Sequence, residues 1–204
     1  MFKNYSGKIG FRQQIDTPFE ESESYFEYPA VWTLYIYFID SDPSVKFMKI
    51  KPKIARVAFK ELPKILELQK FCYRENALRY NNDHIMPLTQ TQHDLEEEFR
   101  DTLFLKAVLD DELIGSIRGF QNNMTGYIVR LFVHPDHQNK GVAKQLMTAI
   151  EQQFPHVFRY ELFTGYKDEK NIHFYTKLGY RKFKEDKRDD GMIFYFLEKI
   201  CDLV

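Results

Sequence analysis

Residues 126–150 read GYIVRLFVHPDHQNKGVAKQLMTAI, and three textures succeed one another within them. Residues 127–133 are an apolar, β-branched and aromatic run of the kind that builds a strand. His134-Pro135 then opens a polar turn, and a helix begins near Gly141. In that helix Val142, Leu146, Ala149, Ile150 and Phe154 recur three or four apart, so one stripe packs on the sheet while Lys144, Gln145 and Glu151 face water. The first N–H groups of such a helix lack internal acceptors and sit at the positive end of its dipole. Gln138, Asn139, Lys140, Gly141, Val142, Ala143 and Lys144 are therefore expected to cradle an anion, most naturally a pyrophosphate. Gly141 would let phosphate oxygens approach the backbone closely.

Further on, Asn171-Ile172-His173-Phe174-Tyr175-Thr176-Lys177-Leu178-Gly179-Tyr180 sets Asn171 and Tyr175 at i and i+4 of one helix, hence on one face. Gln138-x-x-Gly141-x-Ala143 after a strand ending at Val133, followed by this second element in order and spacing, resembles the signature of the GNAT N-acetyltransferase superfamily. The resemblance covers residues 50–200. It implies an α/β (α+β) fold, with a mixed, mostly antiparallel twisted sheet of six to seven strands flanked by about four helices. It also implies acetyl-CoA as co-substrate, no metal, and direct attack of an amine on the thioester in a ternary complex.

The roles carried over are specific to matching positions. Backbone groups of Leu131, Phe132 and Val133 would pair with the pantetheine as if it were another strand, with the Val133 N–H as oxyanion donor. Asn171 would support the pantetheine arm and Tyr175 would serve the leaving thiol. A phenol of pKa near 10 can give its proton to a thiolate whose conjugate acid lies near 8.5 at a cost of about 2 kcal/mol. The acceptor would be a primary amine of a small molecule or a protein. A rival expectation is an acyl-CoA-binding domain without turnover, against which the retention of Tyr175 speaks.

Composition narrows the partners. In 204 residues, 44% are hydrophobic and 29% charged, enough for one well-buried core. A net charge of −1 offers no general attraction to nucleic acid or to anionic membrane, so neither is expected as a partner. Cys72 and Cys201 stand far apart without a CxxC pattern, which suits a reducing cytoplasm and argues against metal ligation. No signal peptide is apparent, and the longest apolar run, residues 31–39, is far short of a bilayer span of roughly 20 residues. A homodimer is left open.

Residues 1–47 differ in texture from the rest: an acidic run at Glu20-Glu21-Ser22-Glu23, a Tyr/Phe-rich segment and Ser41-Asp42-Pro43-Ser44, with no motif. They are read as an extension of unknown role. Residues 48–204 would make a complete domain of the GNAT type, with Met48 as an alternative start. Within it a strand is expected over 53–59, and a helix from Pro63 with Leu62, Ile65, Leu66, Gln69 and Tyr73 on one face. Residues 80–84 and 87–91 read as turns, the latter leading into a helix over 94–100 with Thr91 as N-cap. Strands over 103–109 and 113–120 form a hairpin around Asp110-Asp111-Glu112, and 122–126 turn the chain into the central strand. A strand over 158–164, a helix over 168–178 capped by Gly179, and a hairpin of 180–184 with 192–198 close the domain. Between the last two strands, 185–190 read as a solvated charged loop.

Four side chains remain. Symmetry of the hairpin about Met124 sets Arg118 and Arg130 directly opposite each other, and two like charges so placed need an anion between them. Either Glu161 supplies it or an anionic group of the acceptor does. Glu161 and His134 are also the two legible candidates for a general base. His134-Pro135-Asp136-His137 has metal-ligand residue types, but it occupies the turn meant for pyrophosphate.

Overall fold

The computed structural model describes residues 51–188 and 191–201; the expected extension over 1–47 lies outside them. Strand β1 (Lys53–Arg56) is followed by a 3₁₀ turn (Phe59–Glu61) and by α1 (Leu62–Tyr80), which has Pro63 in its first turn and ends on left-handed Asn81, φ 48°. Then come α2 (Met86–Thr89), α3 (Gln92–Asp101), β2 (Leu103–Leu109), β3 (Glu112–Asn122) and β4 (Thr125–Val133). A second 3₁₀ turn (Pro135–His137) leads to α4 (Val142–Glu151), β5 (Arg159–Gly165), α5 (Glu169–Lys177), β6 (Arg181–Lys187) and β7 (Ile193–Ile200). Thr91 caps α3 as expected, accepting from the Asp94 N–H while Asp94 accepts from the Thr91 N–H.

The seven strands run in the order β1-β2-β3-β4-β5-β7-β6, and β4 with β5 is the one parallel pair among them. Alternation along the strands divides the interior in two. On one face Phe104 and Phe132 pack with Leu62, Ile65, Leu66 and Leu68 of α1 and with Leu95 of α3. On the other, Leu105, Ala107, Ile117 and Val133 pack with Val142, Leu146, Met147 and Ile150 of α4 and with Tyr175 of α5. The fold is thus a mostly antiparallel mixed sheet with helices on both faces.

Three expectations give way. Residues 87–91 read as a turn in the sequence, but Met86–Thr89 form a helical turn, so five α-helices stand among the described residues where about four were expected. Residues 185–187, read as loop, belong to β6 and pair with Tyr195, Phe194 and Ile193. The charges are compatible with an edge strand because the rings of β7 take the cations: the Lys182 ammonium lies 3.4 Å from the Tyr195 ring centroid and that of Lys184 lies 4.9 Å from Phe196.

The third concerns the central hairpin. Ser116 faces Phe132 but Arg118 faces Val129, so Arg130 is not opposite Arg118. One extra residue is inserted in β4 as a bulge, and Arg130 takes up the left-handed conformation there, φ 53°. Symmetry about a turn cannot anticipate a bulge. Beyond it the sheet opens: β4 and β5 hold register only from Thr125↔Arg159 to Tyr127↔Glu161, and the downstream halves of the two strands diverge.

Candidate active site

The opening between β4 and β5 follows from backbone bonding. The His134 N–H donates to Ile114 at 2.8 Å, and Ser116 faces Phe132, so Val133 turns its N–H and carbonyl to the opposite edge, where β5 has already left. The Gln138 side-chain amide donates to that carbonyl at 3.2 Å, tying the loop to the strand. Through this bond the Gln138 amide braces the loop against the strand.

The helix start is built as the sequence suggests. Gly141 is N-cap of α4 at φ 85°, a conformation that costs a side chain, and no atom would come within 4 Å of a Cβ there, so the space before it is open. The first helical bond runs from the Gln145 N–H to the Gly141 carbonyl at 3.2 Å, which leaves the N–H groups of Val142, Ala143 and Lys144 with no acceptor in the helix. Asn139, φ 58°, turns the preceding loop. A groove of about 370 Å³ runs along this loop and the free edge of β4, and the expected residues from Leu131 to Lys144 line it, with the exception of Lys140. Asn171 and Tyr175 line it from α5.

A second cavity, of about 260 Å³, fills the wedge between the diverging strands, bounded by residues 128–131 and 162–165 and by the end of α1. Groove and cavity share Tyr73, Asn76, Leu131, Asn171 and Tyr175. The two spaces therefore meet over Leu131 and Tyr175.

Tyr175 is buried, its ring edge-on to Tyr180 with centroids 6.1 Å apart. Burial, reinforced by Tyr73 and Asp168, pushes its phenol well above the ordinary value of 10, so it is a protonated donor at neutral pH. Among the described residues its hydroxyl has no hydrogen-bond partner. Full proton transfer to a thiolate is correspondingly harder than for an exposed phenol, and donation of a hydrogen bond to sulfur is what this environment favours. Cys72, also on the groove, is pushed up to about 12 by burial and is an inert thiol.

Neither sequence candidate for the base reaches the junction. Glu161 lies on β5 but lines neither space and is salt-bridged to Arg159. His134 stacks on Phe71 with centroids 5.1 Å apart, outside both. Nor does Glu161 neutralise Arg118. That role falls to Glu98 of α3, 2.8 Å from an Arg118 guanidinium that is fully buried, also bonded to Gln69 and set 4.5 Å from the Phe104 ring. Desolvation lowers the Arg118 pKa and Glu98 opposes the shift. Arg118 is thus a structural cation without access to either space.

Two features escape sequence reading. Tyr73 sits at the junction, edge-on to Phe132 at 6.3 Å, its phenol pushed up by burial against the pull of Arg130 and Arg118. Its helical spacing gives only a core position. Asp168, the N-cap residue of α5, is the carboxylate among the described residues that lines the cavity. It is buried and held by Arg79, by Asn76 at 3.2 Å and by Thr164 at 3.5 Å. Tyr80 accepts from the Lys167 N–H beside it at 2.9 Å, and a side chain at Gly165 would run into the Tyr80 hydroxyl. This corner joins α1 to the β5–α5 turn across 89 residues of sequence, a distance that no local pattern spans.

Comparison with known proteins agrees with this geometry. Residues 62–180 match the model of the acetyltransferase (GNAT) family. An acetyltransferase of Pectobacterium atrosepticum is 30% identical over 73 residues, covering 35% of this chain and 52% of that protein; one of Sodalis glossinidius is 32% identical over a stretch of the same length, covering 35% and 51%. The chain thus spans about half the length of the curated relatives it matches. Among solved structures, the PaiA N-acetyltransferase of Thermoplasma acidophilum in complex with coenzyme A superposes with a TM-score of 0.59 at 19% identity, over 74% of this chain and 100% of that one. A GCN5-related N-acetyltransferase of Rhodopseudomonas palustris gives 0.65 at 13% identity, over 76% and 98%. With most of the described chain covered by the family model, and the strand, loop and helix start inside it, the chain belongs to the acetyltransferase (GNAT) family.

Proposed function

We propose that the chain moves an acetyl group from acetyl-CoA to a primary amine by direct attack in a ternary complex. The observation that carries this reading is the meeting of groove and cavity over Leu131 and Tyr175. The N–H groups of residues 142–144 and the left-handed loop before them suit a pyrophosphate. The free edge of β4 offers a pantetheine the hydrogen bonds of a missing strand, and the coenzyme A carried by the Thermoplasma protein supports the same assignment.

In the reaction the amine nitrogen bonds to the acetyl carbon, the carbon–sulfur bond breaks, the amine loses one proton and the sulfur gains one. Val133 turns its N–H toward the groove and would meet the charge developing on the carbonyl oxygen. Tyr175 would hydrogen-bond the departing sulfur, and Asn171 on the same helix face would hold the pantetheine. Asp168 is committed to Arg79, so water in the cavity would carry the amine proton away. Tyr175→Phe tests the assignment: kcat should fall about a hundredfold with acetyl-CoA affinity within about twofold, since only the hydroxyl is deleted. Equal losses in both would make Tyr175 a packing residue.

A further inference from the structure

Arg130 carries more than the sequence allowed. The bulge puts it in left-handed backbone, a strained state for a long side chain, and its side chain lines the cavity between β4 and β5. Its Nε is buried without an acceptor, and its terminal nitrogen rests on the Met86 sulfur, a weak acceptor. Among the described residues Arg130 forms no ion pair. Glu98 is taken by buried Arg118, and the Asp168 carboxylate on the cavity is taken by Arg79. Arg188, over the Phe194 ring at 4.6 Å, adds a second cation to the lining. The rest of the wall is chiefly apolar and aromatic, including Ile85, Ile128, Leu162 and Phe163. A half-buried guanidinium with its donors unspent, in a cavity whose lining acid is already neutralised, fits an oxyanion and repels a polycation.

On this ground, and resting on the acetyl-transfer reading above, we propose that the acceptor is a small amine carrying an oxyanion, a carboxylate or a phosphate, which Arg130 binds in the cavity. An apolar body between amine and anion suits the walls. Polyamines and other multiply cationic amines are then poor acceptors.

Calorimetric titration with matched pairs, L-methionine against L-methioninamide and O-phosphoethanolamine against ethanolamine, reads the cavity directly. Each pair is titrated into the protein with and without CoA, for the wild type, Arg130→Gln and Arg130→Lys. In at least one pair the member that bears the oxyanion should bind the wild type on the order of ten- to a hundredfold more tightly than the partner that lacks it. Arg130→Gln should erase that difference while CoA affinity persists, and Arg130→Lys should keep part of it. Which pair responds distinguishes carboxylate from phosphate. Equal binding of both members to the wild type, no binding of any of the four, or discrimination that survives Arg130→Gln overturns the proposal. The wild-type comparison alone decides should Arg130→Gln fail to fold. Failure of CoA itself to bind strikes the acetyl-transfer reading, whereas CoA binding without discrimination strikes only this one.

Discussion

Removing the Glu98 carboxylate would leave Arg118 charged and dry. The guanidinium has no exposure of its own and no second acid, so Glu98→Ala should destabilise the fold by about 3 kcal/mol in urea unfolding, and combining it with Arg118→Met should recover much of the loss. Recovery would mark the pair as structural; additive losses would contradict that. The phenols give a second residue-scale expectation. Burial pushes Tyr80 and Tyr160 from 10 up to about 12, and Tyr73 and Tyr175 upward as well. In the unfolded chain they ionise near pH 10 while the folded chain keeps them neutral, so the unfolded state binds fewer protons and stability falls as pH rises from 10 through 12. Thermal melts should show a constant Tm contribution from these groups below pH 10 and a decline above it. A flat Tm to pH 12 would mean that the tyrosines are open to water. None of this was legible beforehand, because the partners of Arg118 and Asp168 come from elements joined only by tertiary packing.

The strand, loop and helix over 125–151 show what local sequence does carry. Period and turn chemistry marked out all three parts; residues 138–144 were named from the helix start and 131–133 from the family resemblance, and of these Lys140 does not line the groove, whereas His137, which was not among them, does. The bulge at Arg130 was not, since register is settled between strands and not along one. The charged edge β6 was misread for the same reason: the aromatic rings that accept its lysines sit on β7, across the ladder. Gly141→Asp tests the helix start as an element. The φ of 85° disfavours any side chain, and a carboxylate would oppose an incoming phosphate at the positive end of α4, so acetyl-CoA binding by calorimetry should be lost while the far-ultraviolet circular dichroism is kept. Unchanged affinity would move the pyrophosphate elsewhere.

At the scale of the molecule, the proposed reaction rests on a sheet that is left incomplete between two of its strands. The first five strands pair in sequence and β7 lies between β5 and β6, but β4 and β5 part after three paired residues, and the wedge left open is where the groove and the cavity meet. The order of elements was readable from the chain, because each hairpin and each strand-helix-strand unit carries its own local pattern. The wedge was not, because it exists only once both halves of the sheet are assembled. What the wedge is for can be measured in one assay: free CoA and acetylated amine, quantified together after incubation of the full chain with acetyl-CoA and a panel of primary amines. One CoA released per acetyl group found on an amine, with no release by Gly141→Asp, is the predicted result. Tight binding of acetyl-CoA with no amine-dependent release would contradict it and leave an acyl-CoA-binding domain without turnover.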